Sequence, residues 1–328
     1  MTLQEPQLSD AFGRHFGYLR LSVTDQCNFR CNYCLPDGYQ GSGKTAFLSL
    51  DEIRSAVAAF AAAGTRKVRI TGGEPSLRRD LPEIIRVVAG TPGIQTIALT
   101  TNGYRLERSI DEWVAAGLTH LNLSIDSLDP AQFATITGHD CLPSLLRGLD
   151  QALELGLRVK VNAVLLRGFN LDQLHGFLDW VRHKPVSMRF IELMQTGDNQ
   201  VFFAENHVSG EQIRNLLLEQ GWLPRLKETN AGPAQEFCHS DYQGQIGLIM
   251  PYSRDFCASC NRLRLSSVGK LHLCLFGEQG YDIRELLTPE RAADLQAALP
   301  RLLGEKRESH YLHQGQTGAT RHLAMLGG

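Results

Sequence analysis

Two groups of cysteines are the residues with the clearest capacity for chemistry. The chain contains eight cysteines, of which Cys141 and Cys238 stand alone. The other six form two triplets: Cys27, Cys31 and Cys34, spaced C-x3-C-x2-C, and Cys257, Cys260 and Cys274, spaced C-x2-C-x13-C. Thiolates bind soft metals, and tight groups of cysteines in a reducing compartment indicate metal binding rather than disulfides.

The number of ligands in each triplet bears on the kind of metal. Structural zinc takes four protein ligands, and a [4Fe–4S] cluster normally uses four cysteines. Three cysteines therefore predict a cluster with one iron left open for another ligand. The alternative is zinc completed by a distant fourth ligand. No neighbouring residue offers one to the first triplet, whereas Cys238 or His272 would complete a zinc site at the second.

Residues near the first triplet point to a bound small molecule. Tyr33 lies between the last two cysteines, and Thr71–Pro75 reads TGGEP. Adjacent glycines such as Gly73 let the backbone approach a ligand closely, although the segment is also compatible with an ordinary turn. Ser124 and Met194 end two predicted strands, where hydrogen bonding and core packing are the alternative interpretations.

Basic residues inside predicted strands indicate an anion. Arg262 and Arg264 are two residues apart, so they face the same side of a strand. Arg20, Arg69 and Lys160 also lie within strands, where a buried charge is costly without a partner. Guanidinium groups in a pocket suit phosphate or carboxylate. A solvated strand face and snorkelling at the barrel edge remain the alternatives.

Alternating strands and helices must position these residues. The predicted strands are Tyr18–Val23, Lys67–Ile70, Thr96–Thr100, His120–Ile125, Arg158–Leu165 and Ser187–Leu193. Between them, apolar spacings of three and four predict helices over Leu50–Ala63, Asp80–Ala89, Ile110–Ala116, Leu142–Glu154 and Leu171–Val181. Six such units predict an α/β fold, a partial (β/α)6 barrel of TIM type with its ligands at the carboxyl ends of the strands.

The alternation ends after about Gly197. Beyond it we predict a hairpin that turns near Val268–Gly269 and a helix over Pro289–Leu303. We therefore expect a barrel over residues 1–240 and a smaller α+β layer over residues 241–328, which carries the second triplet.

The bulk composition is that of an ordinary globular protein. Hydrophobic residues make up 43% and charged residues 21% of the 328 residues, and the formal net charge is -2. This balance favours neither nucleic acid nor a membrane surface as a partner. The first residues have no basic and apolar segments of a signal peptide, so we expect a cytoplasmic protein.

The motifs resemble those of a known family. The first triplet with its aromatic residue is similar to the signature of the radical S-adenosylmethionine (SAM) superfamily. Over nearly its full length, the chain resembles the molybdenum cofactor biosynthesis protein A family, the GTP 3′,8-cyclases. The resemblance lies in LRLSVTDQCNFRCNYCLPDGY, VRITGGEPSLRRDL, LTTNGYRL, LNLSIDSLD, VKVNAVLLRG, RFIELM, DFCASCNRLRLSSVGKLHLCLFG and the terminal Gly327–Gly328. Gln26 departs from it, since many members carry a basic residue there.

The resemblance implies cofactors, ligands and a reaction. Each triplet would hold a [4Fe–4S] cluster, the first with SAM and the second with the guanine of GTP. The implied SAM contacts are Tyr33, Gly73, Ser124 and Met194, and the implied GTP contacts are Arg20, Arg69, Thr100, Lys160, Arg262 and Arg264. The implied reaction is the first step of molybdenum cofactor biosynthesis, in which a 5′-deoxyadenosyl radical removes hydrogen from C3′ and GTP becomes 3′,8-cyclo-7,8-dihydro-GTP.

The resemblance also bears on partners. It implies a downstream cyclic pyranopterin monophosphate synthase that takes up the product, and a homodimer by analogy with other members. It implies that the Gly327–Gly328 tail reaches the active site, and it names no electron donor.

Two other classes of function are compatible with parts of the sequence. A radical SAM enzyme acting on a peptide or on RNA would share the first triplet, but such enzymes usually add further C-terminal cysteines or a basic RNA-binding domain. A zinc protein without catalytic activity would share both triplets. Iron analysis and GTP-dependent cleavage of SAM discriminate among the three.

Overall fold

The computed structural model describes residues 7–41, 46–226, 231–320 and 323–326. Six strands begin the fold: β1 Tyr18–Ser22, β2 Lys67–Thr71, β3 Thr96–Thr101, β4 His120–Ser124, β5 Arg158–Leu165 and β6 Ser187–Glu192. The helices between them are α1 Leu50–Ala62, α2 Leu81–Ala89, α3 Leu106–Ala115, α4 Pro130–Thr137, α5 Leu142–Glu154 and α6 Leu174–His183. All six predicted strands and all five predicted helices are present, with ends displaced by a few residues.

The six strands pair in sequence order, and every pair is parallel. Residues that pack outward against the helices, such as Leu19, Val68 and Leu99, are fully buried. The alternate residues of the same strands include Arg20 and Arg69, which point to the other side of the sheet. The apolar side of each strand thus forms the core, and the polar side lines the interior of a partial barrel, as predicted.

The C-terminal strands extend both edges of the same sheet. After α7 Gln200–Asn206 and α8 Gly210–Glu219 come β7 Leu223–Pro224, β8 Gln235–Cys238, β9 Gln245–Ile249, β10 Arg262–Leu265, β11 Lys270–His272 and β12 Tyr281–Asp282, followed by α9 Ala292–Leu303. β9 pairs in parallel with β6, and β10 pairs in parallel with β1. The C-terminal region therefore contributes strands on either side of the barrel opening, and a division near residue 240 stays a prediction.

The predicted hairpin is present between β10 and β11. These strands are antiparallel, with Arg264 opposite His272. The turn includes Gly269, whose φ of 84° lies in the left-handed region that favours glycine. No helix among the residues that the structure describes combines the length and apolarity needed to cross a bilayer.

Candidate active site

The first cysteine triplet occupies the loop after β1, at the carboxyl edge of the barrel. All three side chains are partly buried, and the N–H of Cys34 donates to the carbonyl of Cys31 at 2.9 Å. Burial, then the charges of Asp126 and the neighbouring thiolates, raises the pKa of Cys31 well above its ordinary value. Burial and the charge of Cys27 raise the pKa of Cys34 to about 12. A cationic iron–sulfur group would offset this repulsion, so the crowded thiols fit such a cofactor.

The number of cysteines in each triplet suits an iron–sulfur cluster with one open iron. Among the residues that the structure describes, no three His, Cys, Asp or Glu side chains are placed as ligands of a single metal ion. In a [4Fe–4S] cluster each cysteine binds a different iron, so its ligands surround a wider group. Three thiols in each triplet fit such a cluster and leave one iron for another ligand.

Tyr33 is held by a carboxylate at the end of β4. Its hydroxyl donates to Oδ2 of Asp126 at 2.9 Å. The other oxygen of Asp126 accepts from the N–H of Val164 at 2.8 Å, and burial raises the pKa of Asp126 to about 6. Asp126 thus ties the cysteine loop to β4 and β5, and it orients the ring that lies between two cysteines.

The TGGEP segment packs directly beneath the cysteine loop. The N–H of Gly73 donates to the carbonyl of Thr24 at 2.9 Å. A Cβ at Gly73 would lie 2.3 Å from the carbonyl oxygen of Gln26, and one at Gly72 would lie 2.3 Å from that of Thr24. The glycines are therefore required by close approach of two backbone segments, whether or not a ligand also lies against Gly73.

Glu74 fastens this segment to the end of β3. It is fully buried, and its Oε1 accepts from the N–H of Ser76 at 2.9 Å and the hydroxyl of Thr101 at 2.7 Å. Its Oε2 accepts from the N–H of Asn102 at 2.7 Å. Burial raises the pKa of Glu74, while these donors favour its charged form. The carboxylate therefore organises the edge at which the first triplet lies.

We expect Glu74→Gln to lower the free energy of unfolding by about 2 kcal/mol, because it leaves a buried donor unsatisfied. The carboxylate accepts three hydrogen bonds, whereas the introduced amide nitrogen can only donate and would face another donor. Denaturant unfolding of the metal-free chain measures the effect. Glu83→Gln is the matched control, because Glu83 forms only an exposed ion pair with Arg86. A Glu74→Gln chain as stable as the control variant would contradict this role.

The second triplet faces a cavity inside the barrel. The N–H of Cys260 donates to the carbonyl of Cys257 at 3.1 Å, and all three thiols line the cavity. Cys274 lies two residues beyond β11, in a bend that follows the second strand of the predicted hairpin. Neither of the other zinc ligands considered above lines this cavity. Cys238 is exposed on β8, and His272 is on β11 opposite Arg264.

Arg14 fixes the loop that carries Cys257. Its guanidinium donates to the carbonyls of Cys257 at 3.1 Å, Glu308 at 2.6 Å and Arg307 at 2.7 Å. Asp10 pairs with the same group at 2.6 Å. The first described residues thereby join the second cysteine loop to the C-terminal region. The sequence held no local signal for this contact, since Arg14 lies outside the predicted elements.

The cavity is strongly basic, and its empty space of about 1140 Å³ includes solvent at its mouth. Among the described residues that line it, Glu308 is the single acidic residue and ten are basic. The basic residues are Arg14, Arg20, Lys67, Arg69, Lys160, Arg189, Arg262, Arg264, Lys306 and Arg307. All six residues implied as GTP contacts line this one cavity, together with Met194 and the second triplet. Such a concentration of positive charge suits a polyanionic ligand.

Strand register places three arginines side by side. Arg20 on β1 lies between Arg264 on β10 and Arg69 on β2. Burial and the charge of Arg264 lower the pKa of Arg20 well below its ordinary value. Arg69 donates to the hydroxyl of Thr100 at 3.4 Å. Charges of one sign brought together in a buried row are stabilised by an anion that contacts several of them.

Electrostatics set Cys260 of the second triplet apart from the cysteines of the first triplet. Burial raises the pKa of Cys260, but the charges of Arg262 and Lys306 lower it to about 7.

Arg189 on β6 was not singled out from the sequence, although it is buried within a strand as Arg69 is. It pairs with Glu236 at 2.9 Å, and Lys160 lies 3.9 Å from the same carboxylate.

Ser124 and the C-terminal segment lie near the cysteine loops. Ser124 is partly buried at the end of β4. The N–H groups of Leu323 and Ala324 point at the thiol of Cys34, and the carbonyl of Leu326 accepts from Arg264 at 3.1 Å. The C-terminal segment therefore contacts both sides of the site. The predicted insertion of Gly327–Gly328 lies outside the described residues.

Comparison with known proteins identifies the family. A Radical SAM superfamily model matches residues 21–181, and a Molybdenum Cofactor Synthesis C model matches residues 186–312. Relatives named GTP 3′,8-cyclase from Vibrio vulnificus and Cronobacter sakazakii are 56% and 57% identical over 326 residues. The matches cover 98% of this chain and 98% and 99% of the two relatives. This chain belongs to the GTP 3′,8-cyclase family of radical SAM enzymes.

Solved structures agree with the fold of this GTP 3′,8-cyclase family member. Streptococcus suis SuiB bound to S-adenosylmethionine has a TM-score of 0.65 at 11% identity, covering 89% of this chain and 68% of SuiB. The anSMEcpe structure with AdoMet and the Cp18Cys peptide has a TM-score of 0.57 at 13% identity, covering 88% of this chain and 83% of anSMEcpe. At these identities the likeness establishes the radical SAM fold alone.

Proposed function

We propose that this chain catalyses the reaction for which its relatives are named, the 3′,8-cyclisation of GTP to 3′,8-cyclo-7,8-dihydro-GTP. Its cofactors are SAM and two [4Fe–4S] clusters. The observation that best supports the proposal is the single basic cavity in which the second triplet meets all six implied GTP contacts. This places the reaction in the synthesis of the molybdenum cofactor, in agreement with the C-terminal family model.

The residues around the first triplet would bind SAM. Cys27, Cys31 and Cys34 would hold the cluster, which supplies the electron that converts SAM to a 5′-deoxyadenosyl radical. Tyr33 is oriented for this site by Asp126. Gly73 would present its backbone to the methionine end of SAM. Ser124 and Met194, which close β4 and follow β6, would complete the contacts.

The residues around the second triplet would bind GTP. Cys257, Cys260 and Cys274 would hold the second cluster beside the guanine. The charged contacts to the triphosphate would come from Arg20, Arg69, Lys160, Arg262 and Arg264, and Thr100 would add a hydroxyl. In this arrangement the basic row would orient the nucleotide for reaction.

Nucleotide binding should depend on the protonation of Lys160. The pKa of Lys160 is lowered to about 7, mainly by burial. The charge of Arg189 also lowers this pKa, and its effect is larger than the opposite effect of Glu236. Lys67 and Arg69 also lower it. Below about pH 7 the lysine is charged and can bind a triphosphate, whereas above that pH binding must also return a proton. We therefore expect the affinity for GTP to fall as the pH rises above about 7.

Titration calorimetry in buffers of different ionisation enthalpy measures this proton uptake. Lys160→Arg should bind GTP without it, because a guanidinium stays charged throughout the range. Lys160→Met should bind weakly at every pH. Equal proton uptake by the wild-type chain and Lys160→Arg would show that another group titrates.

We also propose the surroundings in which the enzyme works. It would be cytoplasmic, and it would pass its product to a cyclic pyranopterin monophosphate synthase. A homodimer follows only by analogy with other members of the family.

An anaerobic assay tests the proposed function. The reconstituted, chemically reduced enzyme is given SAM with GTP, and the products are separated by mass spectrometry. We expect cleavage of SAM to accelerate with GTP and a cyclised nucleotide to form. Stimulation by a peptide or an RNA in place of GTP would favour the other radical SAM functions considered above.

A further inference from the structure

An amide in the middle of β4 lacks a hydrogen-bond partner in the part of the chain that the structure describes. Asn122 is 1% exposed, and neither its Nδ2 nor its Oδ1 has a hydrogen-bond partner among the described residues. Its side chain lines the basic cavity. A buried donor or acceptor left unpaired is destabilising, and most such groups in folded proteins are paired. An amide with two unpaired atoms facing a ligand cavity therefore indicates a contact to the ligand.

Strand register gives the depth of this amide in the barrel. Asn122 lies between Thr100 on β3 and Lys160 on β5. Ser124 is two residues further along β4, so it faces the same side about 7 Å nearer the carboxyl edge. Asn162 is the register partner of Ser124 and lies at that higher level. Asn122 thus lies level with two implied GTP contacts and below an implied SAM contact.

The position of Asn122 along β4 indicates which part of GTP this residue would contact. The triphosphate would lie against Lys160, and C3′ of the ribose must approach SAM for hydrogen to be removed. The ribose therefore lies between the level of Lys160 and that of Ser124, where the amide of Asn122 would contact it from the lower level. The side chain of Asn122 has an amide nitrogen that donates and an amide oxygen that accepts. These two groups match the two neighbouring hydroxyls of a ribose, each of which can donate and accept.

We propose that Asn122 is a substrate-binding residue that hydrogen-bonds the ribose hydroxyls of GTP and so fixes the direction of C3′. The inference rests on the proposed function and goes beyond the contacts that the family resemblance implies. It makes the chain selective for ribonucleotides, because 2′-deoxyribose leaves one polar atom of the buried amide unpaired.

The test compares GTP with 2′-deoxy-GTP in the wild-type chain and in Asn122→Leu. The binding of each nucleotide is measured anaerobically with reconstituted enzyme and SAM. We expect the wild-type chain to bind GTP about tenfold more tightly than 2′-deoxy-GTP, and Asn122→Leu to bind the two alike. The unfolding midpoint of Asn122→Leu should equal or exceed that of the wild-type chain, because two unpaired polar atoms are removed.

Two further variants complete the design. Asn122→Ala removes the same amide without adding volume and should give the same loss of selectivity if the leucine does not fit. Thr65→Val is the matched control, because Thr65 is also buried, with a hydroxyl that has no hydrogen-bond partner among the described residues, but it does not line the cavity. It should keep the wild-type preference for GTP.

The outcomes separate this inference from the proposed function. A wild-type preference for GTP that persists in both Asn122 variants would overturn the ribose contact and leave the proposed function intact. Equal binding of the two nucleotides by the wild-type chain would overturn it as well. A wild-type chain that binds neither nucleotide would contradict the proposed function itself.

Discussion

Cys31→Ala is expected to abolish the cleavage of SAM and to lower the iron content from about eight to about four per chain. Cys31 is the middle ligand of the first triplet, and its thiol is surrounded by the other two and by Asp126. Two remaining thiols cannot hold a cluster that already lacks a fourth cysteine. Anaerobic iron and sulfide analysis, together with the yield of 5′-deoxyadenosine after chemical reduction, measures both effects.

Two control variants make this result specific. Cys260→Ala should lose the same amount of iron but keep cleavage of SAM uncoupled from GTP, because its cluster is at the other site. Cys141→Ala should keep about eight irons, because Cys141 belongs to neither triplet. Zinc in place of iron, at one ion per triplet, would contradict the assignment of both sites.

The double variant Arg262→Ala and Arg264→Ala should weaken GTP binding by about 100-fold or more, since charge-assisted hydrogen bonds to phosphate are among the strongest. Both guanidiniums line the cavity, and Arg264 adjoins Arg20 across the sheet. Cleavage of SAM without GTP should be largely unchanged, because the first triplet is on other loops. Equilibrium binding of GTP and the yield of 5′-deoxyadenosine without nucleotide provide the two readings.

A second double variant, Arg86→Ala and Arg147→Ala, is the control. It removes the same amount of charge from exposed ion pairs with Glu83 and Glu107 on the outer helices. We expect it to bind GTP as the wild-type chain does. Normal GTP turnover by the Arg262 and Arg264 variant would show that these two residues do not bind the triphosphate.

The barrel could be predicted because its signals are local. Period-two strands and amphipathic helices alternate with little interruption, so β5 and α5 were predicted with the bounds that the structure has. The helix α4 was missed, although Asp129 caps it and Pro130 begins it. The joining of β9 and β10 to opposite edges of the sheet could not be read from sequence, because pairing between distant strands leaves no local pattern.

The cysteines of the site could be predicted from the sequence, whereas the residues that hold the first cysteine loop in place could not. Spacing identified both triplets, but the hydrogen bonds of Glu74 and Asp126 depend on tertiary contacts between loops that are far apart in sequence. Arg189 is a different case. It lies in a predicted strand, as Arg20 does, so the rule that selected Arg20 would have found it. Asn122 could be identified only from the structure, because its burial without a hydrogen-bond partner among the described residues is what distinguishes it from an ordinary strand residue.

Removal of hydrogen from C3′ of GTP bound in the basic cavity is the central step of the proposed reaction. The most direct measurement uses GTP that carries deuterium at C3′, with reduced, reconstituted enzyme and SAM under anaerobic conditions. We expect the deuterium to appear in 5′-deoxyadenosine, with one cyclised nucleotide formed for each labelled molecule. Deuterium retained in the nucleotide while unlabelled 5′-deoxyadenosine accumulates would contradict it.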